Sequence, residues 1–92
     1  MVTRTVTVSN ALGLHARAAA RFVHAATAFS SQISVTRDGR TVDGKSIMGI
    51  LLLAAPRGTT LTIAADGPDE EAALAALTAL VEGGLGEEPC NA

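Results

Sequence analysis

The stretch Val6-Thr7-Val8-Ser9-Asn10-Ala11-Leu12-Gly13-Leu14-His15-Ala16-Arg17-Ala18-Ala19-Ala20 changes its periodicity in the middle. Upstream, Val2, Val6 and Val8 alternate with Thr3, Thr5 and Thr7, with Arg4 interrupting the apolar side. That two-residue period predicts a half-buried strand. Downstream, from Ala16 to about Ala28, the period becomes helical, and Ala19, Phe22, Val23 and Ala26 fall on one stripe. Alanine is the strongest helix former, and this segment is rich in it. Ser9 to Gly13 is then a loop, in which Gly13 supplies a backbone angle that other residues resist.

The same signals continue along the chain. Ile33 and Val35 alternate with Gln32, Ser34 and Thr36, a second strand, and Asp38-Gly39 is a two-residue hairpin turn leading into a returning strand from Arg40 to Val42. Asp43-Gly44-Lys45-Ser46 breaks the pattern, and Ser46 is a good N-cap for a short apolar helix from Ile47 to about Ala54. Pro56-Arg57-Gly58 is a turn, and Leu61, Ile63 and Ala65 alternate with Thr60, Thr62 and Ala64 in a fourth strand. Asp66-Gly67-Pro68-Asp69 opens the last helix, whose first turn carries Asp69, Glu70 and Glu71, favourable partners for the positive end of the helix dipole. Its buried stripe is Ala73, Leu74, Leu77, Leu80 and Val81; Gly83-Gly84 stops it, and residues 85–92 read as a flexible tail. The order β-α-β-β-α-β-α predicts an α+β fold with a four-stranded sheet and helices on one face, because each helix has one apolar stripe to hide.

Composition narrows the function. Ninety-two residues fit a single domain, residues 1–92. Hydrophobic residues make up 48% of the chain but aromatic ones only 2%, so the core is aliphatic and no aromatic platform exists for nucleobases. The net charge is −2 with scattered basic residues, which argues against nucleic-acid binding. No stretch approaches the roughly 18–20 apolar residues of a membrane span, and the N-terminus lacks the apolar region of a secretory signal. The single cysteine, Cys90, allows no internal disulfide and no zinc pattern, so neither a metal nor a cofactor is expected and the cytoplasm is the simplest location.

His15 falls at or just before the first residue of the first helix. Unpaired N–H groups and aligned peptide dipoles gather there and favour negative charge. A neutral imidazole with a nucleophilic nitrogen suits that spot, and a phosphoryl group on it would meet backbone donors. Arg17 adds a fixed positive charge whose planar fork matches phosphate oxygens. The pair is suited to reversible covalent phosphorylation of His15. A capping or surface histidine beside a solvated arginine is the plainer alternative; the company of Gly13 and the small run Ala18-Ala19-Ala20, which leaves room for a partner, favours the chemical role. No carboxylate base lies within the local motif, and only the fold could bring Asp43 or Asp69 near it.

At these residues the chain resembles the HPr family of phosphocarriers of the bacterial phosphotransferase system. Leu12-Gly13-Leu14-His15-Ala16-Arg17 is similar to the family's phosphorylation motif, and Gly44-Lys45-Ser46-Ile47-Met48-Gly49-Ile50-Leu51 to its second signature. The resemblance covers roughly residues 2–85. It implies an open-faced β-sandwich, an antiparallel sheet covered on one face by three helices. It further implies a monomeric carrier, not a turnover enzyme, that receives a phosphoryl group on His15 Nδ1 from Enzyme I and passes it to an EIIA protein or domain. Arg17 would support the group, and Ser46 matches the position that an HPr kinase/phosphorylase modifies in many members. One departure is Ala18, where many members have proline; alanine preserves the helix with a less rigid start. That small residue, Asn10-Ala11-Leu12-Gly13 and the run Ile50-Leu51-Leu52-Leu53-Ala54-Ala55 lean toward the nitrogen-related branch of the family, and so toward regulation over sugar uptake.

The helix from Ile47 is apolar almost all round. Ile47, Met48, Leu51 and Leu52 cannot all be buried on one stripe, so some should join Ala20 in an exposed docking patch near His15. A phosphate on Ser46 would be tolerated at the helix start and would repel an acidic partner from that patch. Serine there is also explained by capping alone. His24 lies on roughly the opposite side of the first helix from His15, so the two cannot share a metal; it and Cys90 are given no role. Three other functions fit less well. A module that binds only when Ser46 is phosphorylated has no need of His15. A ferredoxin-like sensing or RNA-binding domain has no use for the two motifs. A hydrolase with His15 as base lacks a nucleophile and an oxyanion site.

Overall fold

The computed structural model describes residues 1–53 and 55–85. Strand β1 (Val2–Thr7) leads to helix α1 (Ala16–Thr27), strands β2 (Gln32–Arg37) and β3 (Arg40–Asp43), helix α2 (Ile47–Leu52), strand β4 (Thr60–Asp66) and helix α3 (Glu70–Glu82). The sheet is antiparallel throughout, in the order β1-β4-β2-β3. Its register places Val6 opposite Leu61, Val35 opposite Ile63, and Ile33 opposite Ala65, and all six side chains are buried. Each fully buried Val, Leu or Ile contributes about 1.5–3 kcal/mol. The alternate residues Thr3, Thr5, Thr7 and Thr60 are exposed, which leaves the other face open. The expected architecture is therefore present: an open-faced α+β sandwich with three helices over one side of a four-stranded sheet.

Asp38 and Gly39 both adopt positive φ, 50° and 80°. That conformation is the hairpin turn expected from the Asp-Gly pair, and it sets Arg37 opposite Arg40. Helix α1 buries Ala18, Ala19, Phe22 and Ala26, while Val23 is only half-buried. Helix α2 is shorter than the expected run to Ala54. It ends at Leu52 with Leu53 as its cap, and Ala54 lies outside the described residues. The hairpin arginines take its last carbonyls: Arg37 Nη1 donates to Leu53 O at 2.7 Å and Arg40 Nη1 to Leu52 O at 3.3 Å. Cations at that helix end also complement its dipole.

Asp69 precedes α3 but does not cap it through its side chain. Its carboxylate instead accepts from Ser30 N–H and Ser31 N–H, each at 2.9 Å, and from the Ser31 hydroxyl at 2.5 Å. The Ser31 hydroxyl first, then the Ser30 N–H, hold the Asp69 carboxyl below the ordinary aspartate range. Glu70 Oε1 accepts from Gly67 N–H at 3.1 Å, which lowers its carboxyl too, aided by the N-terminal ammonium at 3.4 Å. At the other end of α3, Gly84 N–H reaches Val81 O and Leu85 N–H reaches Leu80 O, at 3.1 and 2.8 Å. With Gly84 at φ 89°, this is a Schellman cap. Leu85, expected to begin the tail, is therefore part of the core and fully buried. Residues 86–92, including Cys90, lie outside the described residues.

Candidate functional site

The loop from Val8 to His15 is held by backbone and side-chain bonds. Val8 exchanges two with the turn before β4: its N–H donates to Thr59 O at 2.9 Å, and its carbonyl accepts from Gly58 N–H at 2.8 Å. Gly13 adopts φ +68°, as expected of that glycine, and its N–H closes a turn on Asn10 O at 3.1 Å. Leu14 is buried, and its N–H donates to Ala55 O at 2.9 Å, which ties the loop to the segment leaving α2. His15 follows as the N-cap of α1, with φ −81° and ψ −178°, and its carbonyl accepts the first helical bond from Ala19 N–H at 2.8 Å.

The imidazole itself makes the cap. His15 Nδ1 accepts from Arg17 N–H at 3.3 Å, a geometry that requires a lone pair on that nitrogen. The ring is half-exposed, so it is both reachable and aimed at the amide end of the helix. The Arg17 side chain is exposed, and among the described residues no hydrogen bond or ion pair engages its guanidinium. The two residues expected to act together are thus neighbours at one helix end. Neither carboxylate that the fold could have brought near is committed there: Asp69 is held by Ser30 and Ser31, and Asp43 accepts from Lys45 N–H at 2.9 Å.

Ser46 caps α2 as its sequence suggests, its Oγ accepting from Gly49 N–H at 3.1 Å, and it is partly exposed. Helices α1 and α2 pack on one another. Of the expected apolar patch, Ala20, Ile47, Met48 and Leu52 are exposed, with Met48 at 71% and Leu52 at 63%. Leu51 departs from that expectation: it is half-buried and packs against the core. In a helix of six residues only one face can turn inward, and Leu51 follows Ile50 onto that side. Leu12, not singled out from sequence, is 70% exposed two residues before the buried Leu14. Its signal was a leucine in a loop otherwise made of small and polar residues. Asn10 was also missed as an individual residue; it is 5% exposed, and its Nδ2 donates to Gly13 O at 2.6 Å. His24 is exposed in the last turn of α1. No helix among the described residues is long and apolar enough to cross a membrane.

A family model described as "PTS HPr component phosphorylation site" matches residues 2–83. The chain is 51% identical over 87 residues to the phosphocarrier protein HPr of Cupriavidus necator, covering 95% of this chain and 98% of that one. Its fold superposes on the crystal structure of HPr-C-His from Thermoanaerobacter tengcongensis with a TM-score of 0.92 and 47% identity, covering 97% of this chain and 100% of that one. A crystal structure of an HPr dimer from the same organism is also similar, with a TM-score of 0.75 and 47% identity over 95% of this chain and 100% of that one. By sequence over nearly its whole length and by fold, the chain belongs to the HPr family of phosphocarrier proteins of the phosphotransferase system.

Proposed function

We propose that the chain carries a phosphoryl group on His15, taking it from phosphorylated Enzyme I and giving it to an EIIA protein or domain. The single observation that supports this most is the lone pair of Nδ1, directed at the amide end of α1 on a half-exposed ring. In the transfer, that lone pair forms the N–P bond while the donor's bond to phosphorus breaks and its electron pair returns to the donor. The Arg17 N–H, released from Nδ1, is then placed to meet a phosphoryl oxygen, and the Arg17 guanidinium supplies a second, charged contact. Return of the group to an acceptor reverses the same steps, so the chain ends unchanged and acts as a carrier, not as an enzyme with turnover of its own. One copy holds both His15 and Arg17, so the chemistry needs no second copy, and the cytoplasm is where these partners would be met.

Ala20, Ile47, Met48 and Leu52 form the docking side of this reading; their exposure on packed helices α1 and α2 supports it. Ser46, partly exposed beside Ile47 and Met48, is the residue an HPr kinase/phosphorylase would modify, adding negative charge at the edge of that patch. Transfer assays with each class of EIIA separate sugar uptake from nitrogen-related regulation.

The test is incubation with Enzyme I and phosphoenolpyruvate. A mass gain of about 80 Da, the mass of one phosphoryl group, that acid removes is expected. His15→Ala should remove the gain and keep the fold; an unchanged gain in that variant rejects the site.

A further inference from the structure

We propose that Asn10 is a positioning residue for phosphoryl transfer at His15. The proposal rests on the reading of His15 as the carrier. Its basis is one carbonyl shared by two donors: Gly13 O accepts from Asn10 Nδ2 at 2.6 Å and from the backbone N–H of His15 at 3.0 Å. A carbonyl can only accept, so the Asn10 amide must present its NH2 there, and the orientation of that side chain is determined. Through this oxygen the Asn10 side chain fixes the Gly13–Leu14 peptide plane and, with it, the main chain of His15.

Asn10 is built into the loop from both sides. It is 5% exposed, and its own carbonyl accepts the Gly13 N–H at 3.1 Å, so residues 10 and 13 are joined twice. On the other side of that same peptide, Leu14 N–H donates to Ala55 O, so the Gly13–Leu14 plane is held from both ends. His15 lies between that anchor and α1, and its ring accepts a 3.3 Å bond from Arg17 N–H. A long bond on a half-exposed ring is weak by itself. The main chain that carries the ring is held through the Gly13 carbonyl, to which the Asn10 side chain donates. Pre-set geometry of this kind is worth a large factor in rate, since a displacement of about 1 Å at a reacting group can cost on the order of a hundredfold.

Asn10→Asp keeps the shape but removes the donor and sets a carboxylate oxygen against the Gly13 carbonyl; Asn10→Ala removes the bond without repulsion. Phosphorylation by Enzyme I should slow by roughly tenfold or more in both, more in Asn10→Asp. The nitrogen NMR signals of the His15 ring should move at the same time, as the Nδ1 bond to Arg17 N–H loosens. Ile63→Val, a core change in β4, is the control. It should lower thermal stability while leaving the His15 signals and the transfer rate near the native values. Wild-type rates and unmoved His15 signals in Asn10→Asp overturn the proposal, as does an equal loss of rate in an Ile63→Val chain of matched stability. If neither Asn10 variant folds, exchange of the Asn10 side-chain amide protons in the native chain decides: slow exchange is expected, and exchange at the solvent rate overturns it. Failure of the His15 reading itself is distinguishable, because the native chain would then gain phosphate somewhere other than His15.

Discussion

A Cβ atom on Gly13 would stand 2.5 Å from the carbonyl oxygen of Ala55, and 2.8 Å from Pro56 Cα just beyond it. The loop that carries the phosphorylation motif therefore lies in backbone contact with the segment between α2 and β4. Gly13→Ala meets two penalties there, the positive φ and the collision with main-chain atoms that cannot rotate away. A loss of roughly 1–3 kcal/mol is expected in denaturant unfolding. Phosphorylation by Enzyme I should slow as well, even in conditions where the variant is fully folded, because Leu14 and His15 follow directly.

In the proposed transfer Arg17 acts through charge and not through packing. Its side chain is exposed, so Arg17→Ala should change stability by no more than about 0.5 kcal/mol. Phosphoryl transfer should fall by roughly tenfold or more, since a charged donor to the transferring group is lost. Arg17→Lys keeps the charge without the planar fork and should lie between the two. Rapid-quench assays of transfer from phosphorylated Enzyme I measure the series, and a native rate in Arg17→Ala removes the assigned role.

Ser46 separates capping from charge. Ser46→Ala loses the bond to Gly49 N–H and should cost about 1 kcal/mol. Ser46→Asp caps as well as serine does, so its stability should stay near that of the native chain. It should nevertheless accept phosphate from Enzyme I more slowly, because negative charge is then fixed beside Ile47 and Met48. Equal transfer rates in native and Ser46→Asp chains would show that charge at this position does not regulate docking.

Asp69 predicts an acid dependence. Its carboxyl is held below the ordinary aspartate value by the Ser31 hydroxyl and the Ser30 and Ser31 N–H groups. A carboxyl lowered on folding binds fewer protons in the folded state than in the unfolded one. Its contribution is thus complete above the ordinary aspartate value and is lost as the pH falls through the lowered one. Asp69→Asn should be less stable than the native chain at neutral pH, and the difference should shrink and vanish in strong acid. Urea unfolding at a series of pH values measures this; a difference that does not vary with pH rejects the charge-based account.

Several features were legible in the residues alone because they are local. The switch of period at Gly13, the turn at Asp38-Gly39, the cap at Ser46 and the placement of His15 at a helix start depend on dihedral preferences and bonds spanning a few residues. Neighbours along the chain meet whatever the rest of the molecule does, so pattern reading reaches them. The tertiary structure decided what depends on distant partners. Asp69 leaves its own helix for Ser30, 39 residues away, and α2 stops where Arg37 and Arg40 reach its carbonyls. Leu51 packs against the core while Leu52 stays outside, and Leu85 is buried. The hold on His15 divides the same way: the histidine's place at the start of α1 is written in the order of residues, whereas the anchoring of its loop comes from Ala55, brought there by the packing of α2 and β4. Such contacts are selected by competition among all the apolar and polar groups of the chain at once, and no short window of sequence contains the competitors.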